Sequence, residues 1–193
     1  MIYDTNSYPY GKSYEEWVRL WWKWLISIPK KKNPAYDHTG ELCATSQDNP
    51  HVWFLAGTFG GPADRKCVIP QGKAILFPII NYESSFADAP SIRSEEELEE
   101  QCRHEIDQIG DIYASVDGKE VDIQNYRVQS RCFTIDIPSN NCLGAVNGTT
   151  RIASDGYWLF IESLSVGNHV LKSFGSCLAG RIKIGCTFHL SIQ

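Results

Sequence analysis

The feature that most constrains this chain is a succession of short extended runs divided by turn-forming residues. It fills most of the sequence beyond residue 111. Runs at 112–116 and 120–123 flank Asp117-Gly118-Lys119, and Asp-Gly between extended runs is a strong hairpin signal. Residues 126–137 alternate and close at Pro138 and Ser139-Asn140-Asn141. Runs at 151–153 and 157–161 surround Ser154-Asp155-Gly156, which reads as a turn. Val166-Gly167-Asn168 leads into a run at 169–174, and residues 181–192 alternate from end to end. Short strands with regular turns predict an antiparallel sandwich or barrel.

Upstream, apolar runs at 51–57, 67–70 and 73–81 extend the pattern. Pro78 inside the third requires a bulge, a bend or an edge. Runs this continuously apolar suit strands covered on both faces.

Two helices interrupt the strands. Ser13 with Glu16 forms a capping box and Pro29 stops the element, predicting a helix over about 13–28. Trp17, Leu20, Trp21, Trp24, Leu25 and Ile28 recur at helical spacing, with Trp22 at the margin. Such a helix either plugs a sheet or lies in a membrane interface. It is too short and too charged to span a bilayer. Ser94 with Glu97 opens a second helix over about 94–109, with Gly110 as its expected cap. Its stripe is Leu98, Cys102, Ile106 and Ile109, and the loop before it, 83–93, is long.

At 193 residues the chain is read as one domain, 1–193, able to bury roughly 70% of its unfolded surface without a metal or disulfide. Its net charge of −5 argues against a nucleic-acid partner. The acidic excess lies in the second helix, read as a solvated face or a patch for a basic partner. Residues 1–10 are polar, without a signal-peptide core, so the protein is intracellular or the sequence begins after a removed leader.

Seven cysteines without a CxxC pair point away from zinc ribbons and thioredoxin-like sites. Cys43–Cys67 and Cys177–Cys186 are the first disulfides to consider. The five histidines show no HxH or HExxH, so no metal and no cofactor are expected; Asp37-His38 with His51 is the one place where ligands could converge across a turn. No GxSxG or P-loop occurs. Glu83, Asp88, Asp155 and Glu162 qualify as paired carboxylates by type alone. Trp53, Tyr157 and Trp158, with Asp155 beside them, have the makings of a sugar-stacking strip, or else fill the core.

Several segments together resemble a widespread, functionally uncharacterised family of mostly exported microbial proteins with a Trp-rich N-terminal helix followed by a β-sandwich. They are Tyr14-Glu15-Glu16-Trp17 with Trp21-Trp22-Lys23-Trp24, then Ile28-Pro29, Asn33-Pro34 and Asp37-His38-Thr39-Gly40. Val52 to Thr58, Cys67, Pro70 with Gly72-Lys73, Phe77-Pro78 with Asn81, Asp155-Gly156-Tyr157-Trp158 and Leu164 to His169 continue the likeness. The resemblance implies an extracellular or cell-surface setting and a Cys43–Cys67 bridge. It carries no catalytic residues.

The expectation is therefore a mainly β chain: an antiparallel, jelly-roll-like β-sandwich with two accessory α-helices. The first functional reading is a non-enzymatic, exported binding module for a glycan or a cell-surface protein partner. The alternatives are a hydrolytic enzyme with its site near Asp37–His51 or the 83–93 loop, and a structural assembly or filament subunit pairing through an edge strand.

Overall fold

A computed structural model describes residues 1–177 and 182–193. Its described strands form two sheets. The first runs β1 (Val52–Phe54), β3 (Ala74–Ser85), β7 (Gly148–Ile161), β6 (Ser130–Ile137) across its width. The second runs β2 (Gly61–Ile69), β9 (Ile182–Ile192), β8 (Gly167–Cys177), β4 (Ile112–Val116), β5 (Lys119–Glu120). Between them Ile75, Phe77, Leu159 and Ile161 of the first sheet meet Leu171, Phe188 and Leu190 of the second. The Phe77 and Phe188 rings pack edge to face at 5.4 Å.

The sandwich is mixed, which corrects the antiparallel expectation. β1 pairs with β3 in parallel, and so does β2 with β9. Parallel neighbours need a crossover. The first is supplied by β2, which lies in the opposite sheet between β1 and β3 in the sequence. Alternation of side chains does not encode strand direction, so neither pairing is visible in the pattern.

Two further expectations are corrected. Ser154-Asp155-Gly156 is not a turn but the middle of the unbroken strand β7. Glycine is needed there because a Cβ would sit 2.6 Å from the Ile80 carbonyl oxygen and 2.7 Å from Asn81 Cα. The second helix, α2 (Glu95–Asp107), ends on Gln108 rather than Gly110. Ser94 does cap it, accepting from the Glu97 amide, but Glu97 bonds the Arg93 amide and so leaves the box half formed. By contrast, Asp117-Gly118 forms its hairpin with both residues at positive φ, 51° and 76°, as a type I′ turn requires.

The first helix, α1 (Tyr14–Ser27), closes its capping box in both directions: the Glu16 amide donates to Ser13 Oγ, and the Ser13 amide to Glu16 Oε2. Trp17, Trp21, Trp22 and Trp24 are all buried on the first sheet's outer face, in one core with Phe54, Phe133, Trp158 and Phe160. The indoles that an interfacial membrane helix would expose are therefore inside the fold. No described helix is long and apolar enough to cross a membrane.

The opposite face of the first sheet is shared between the second sheet and α2, whose Leu98 and Cys102 pack on Ala153 and Cys132. Part of the acidic helix is answered within the chain: Arg151 bonds Glu95 bidentately at 2.6 and 3.0 Å, and Arg127 reaches Asp107 at 2.6 Å.

Candidate functional site

The site begins with a strand that is short. β1 pairs only with Ala74, Ile75 and Leu76 of β3, so from Phe77 onward that edge of β3 has no described strand beside it. A cavity of about 280 Å³ lies along this edge. Trp21, Trp22 and Leu25 of α1 wall one side, Cys177 of β8 and Ile184 of β9 another, and the Gly57-Thr58-Phe59 loop a third. Ile80, Asn81, Tyr82 and Glu83 contribute the β3 wall, and Ala35 and Leu143 complete the lining.

A bulge decides which β3 side chains serve it. The register with β7 shifts between Pro78 and Ile80, which moves one residue out of the alternation. Before the bulge, Ala74 and Leu76 pack into the α1 core. After it, Tyr82 packs with the α2 cluster and Ser84 donates to Gln101 of α2. Alternation then turns Asn81 and Glu83 toward α1.

The cavity wall contains polar atoms without partners. Trp22 Nε1 and Asn81 Nδ2 are buried and have no acceptor among the described residues, while the buried Glu83 carboxyl is hydrogen-bonded to Asp88. The other indoles of α1 differ. Trp17 donates to the Pro9 carbonyl at 2.8 Å, Trp21 to Leu55 at 2.8 Å and Trp24 to Thr45 at 3.1 Å. Burial holds the Glu83 carboxyl well above the usual range, and the neighbouring Asp88 carboxylate raises it further. Burial likewise pushes the Tyr82 phenol up to about 12 and raises the Cys177 thiol.

The loop wall is fixed by a buried cation. Arg65 is 1% exposed; its guanidinium donates to the carbonyls of Asp37 (2.7 Å), Ala56 and Gly57 (3.2 Å) and lies 5.4 Å from the centre of the Phe188 ring. Thr58 Oγ1 donates to Gly61 at 3.0 Å. At the rim Phe59, 49% exposed, packs on Tyr36 at 5.0 Å.

The residues expected to bind are placed differently. Trp53 and Trp158 are buried, Trp158 completely, and Tyr157 packs at the edge of the inter-sheet core. Their rings do not form an exposed strip, which corrects the stacking surface read from the sequence: both faces of the first sheet are covered, so its tryptophans fill gaps. The Trp53 and Trp158 N–H groups also lack partners, but neither residue lines the cavity. Asp155 is enclosed and occupied, accepting from Arg127 Nη2 at 2.7 Å and from the Gly156 amide at 2.7 Å.

Neither expected cysteine pairing is formed as a disulfide; all seven cysteines are free. Cys177 and Cys186 lie on adjacent strands out of register: Cys177 faces Ile182, while Cys186 faces Ser173. That offset is on the order of 13 Å along the ladder, beyond the ~7 Å that a bridge tolerates between Cα atoms. Cys43 and Cys67 are neighbours joined by a thiol–thiol hydrogen bond, which lowers the Cys43 pKa.

Asp37 and His51 are not brought together. The Asp37 carboxylate accepts from the Thr39 and Leu42 amides at 2.8 Å each, and His51 stacks on Tyr10 at 4.8 Å. Among the described residues no cluster of three or more His, Cys, Asp or Glu could hold a metal ion.

One array has the outline of a nucleophile site. His169 Nδ1 lies 2.7 Å from Asp117 Oδ2, and Nε2 lies 3.3 Å from Ser165 Oγ. The closer neighbour of Nε2, however, is the Ser165 carbonyl at 3.0 Å. An acceptor there calls for an N–H, leaving no lone pair to take the serine's proton. The contact ties a loop to the β4–β5 turn.

Comparison with known proteins finds no protein-family model, no curated protein and no solved structure that matches this chain. The site is therefore read from its own geometry.

Proposed function

We propose that the protein is a non-enzymatic binding module that takes a small, largely apolar molecule into the cavity beside β3. The observation that carries this reading is the pair of Trp22 and Asn81 N–H groups left without a described partner in a mostly apolar wall. An unsatisfied buried polar atom costs about 1–3 kcal/mol, and a pocket with apolar walls and a few polar groups is the ordinary form of a small-molecule site. The enclosed, mostly apolar lining suits a smaller and less hydroxylated ligand than a glycan. The resemblance to an exported family supports an extracellular setting for the module.

The test is a titration of small apolar molecules against the wild type and Leu143→Trp, whose indole would fill the cavity. Binding should be lost in the variant while its circular dichroism spectrum is unchanged. Equal binding by both proteins would place the ligand elsewhere and end this reading.

A second reading rests on the Glu83–Asp88 pair. Two neighbouring carboxyls, one held protonated, have the parts of a general acid and its partner. A hydrolase would lose turnover in Glu83→Gln while still binding substrate.

A further inference from the structure

The cavity also specifies the chemistry of what fills it. Resting on the cavity being a ligand site, we propose that its ligand is a neutral carbonyl compound (a ketone, ester, lactone or amide) on a small apolar body. Trp22 Nε1 is a donor only, and so is the Asn81 amino group. Both lack an acceptor. The Glu83 carboxyl adds no free donor, because its hydrogen bond is to Asp88. Two N–H donors call for an acceptor, and a carbonyl oxygen offers two lone pairs.

Charge excludes the neighbouring classes. None of the described lining residues is Lys, Arg or His. A carboxylate ligand would enter a desolvated site without a counter-charge, near Asp88. An organic ammonium would face two N–H donors and would require Glu83 to ionise in an apolar wall. A polyol needs acceptors and donors around its whole perimeter, whereas Leu25, Ala35, Ile80, Leu143 and Ile184 supply neither from their side chains. The volume, about 280 Å³, falls just under the range for drug-sized ligands, which limits the body to something like a single substituted ring.

Four probes of similar size separate these classes: acetophenone, its hydrocarbon counterpart α-methylstyrene, benzoate and benzylamine. Each would be titrated by ligand-observed NMR at pH 7 against wild type and Trp22→Phe, with folding checked by circular dichroism. Wild type should bind acetophenone about tenfold more tightly than α-methylstyrene, a difference of about 1.4 kcal/mol, and more tightly than either charged probe. Trp22→Phe removes one of the two N–H donors and should shrink the preference while still holding α-methylstyrene. If α-methylstyrene equals acetophenone, or if benzoate or benzylamine binds best, the carbonyl assignment is overturned and the cavity remains a ligand site. If none of the four binds, the ligand-site reading falls with it. The wild-type ranking decides the matter even if the variant fails to fold.

Discussion

On the α2 side of the first sheet, polar groups are closed against one another. Asp155 is enclosed by Arg127, which also reaches Asp107, and Arg151 holds Glu95. On the α1 side the Trp22 and Asn81 N–H groups are buried and nothing among the described residues answers them. The first arrangement secures a helix to a sheet. The second leaves the fold less stable than its packing allows, a pattern expected where an external group completes the bonding. The two faces of one sheet thus differ in how completely their polar groups are answered.

The comparison can be broken most forcefully through the aromatic core. Trp21→Ala should destabilise the protein by about 4 kcal/mol in urea denaturation, since a fully buried indole and its bond to Leu55 both go. Arg127→Met should cost about 3 kcal/mol by leaving the Asp155 carboxylate buried without its cation. If that variant is nearly neutral, the α2 side is not held by its charges. A finer contrast sets two adjacent indoles against each other. Trp21→Phe should cost about 2 kcal/mol, because it orphans a carbonyl, whereas Trp22→Phe removes a donor that had no partner and should cost about 1 kcal/mol or less. Equal losses would mean that Trp22 has a partner after all.

Titration sharpens the same contrast. Native Glu83 keeps its proton to higher pH than the unfolded chain, whose value is 4.5. From pH 4.5 up to its raised native pKa the folded state binds more protons, so stability falls as pH rises, by at most about 1.4 kcal/mol per unit. Glu83→Gln should lack that slope, and chemical denaturation at successive pH values reads it directly. The smallest effect belongs to His169, raised above 6.5 by its bond to Asp117. Its contribution is complete below pH 6.5 and lost as pH rises through the raised value. The pair is partly exposed, so His169→Asn should differ from wild type by less than about 1 kcal/mol at pH 6.

Much of the architecture was legible in the sequence. The Ser13 capping box, the periodic tryptophans and Asp117-Gly118 each encode local geometry, and local geometry is what they form. Ser154-Asp155-Gly156 misled because the same residues that make turns also serve close approach: Gly156 lies against Asn81, and Asp155 answers an arginine from another segment. The two parallel pairings depend on strand direction, which side-chain alternation does not record. The cavity was legible only in fragments. Glu83 stood out by type, Trp22 sat at the margin of its stripe, and Pro78 announced an irregularity in β3. What joins them is the early end of β1, a tertiary fact with no local signature.

The bulge at Pro78–Ile80 sets the reading frame of β3. Loss of the extra residue at this point would restore uniform alternation and leave Asn81 and Glu83 on the α1 side, whereas a residue lost between the bulge and Glu83 would carry Glu83 toward the carboxylates of α2 and a former α2-facing side chain toward the indoles of α1. Substitutions along this strand alter one contact each. A change of length beyond the bulge exchanges the two sides wholesale, so this part of β3 is a segment in which insertion and deletion are far more restrictive than replacement.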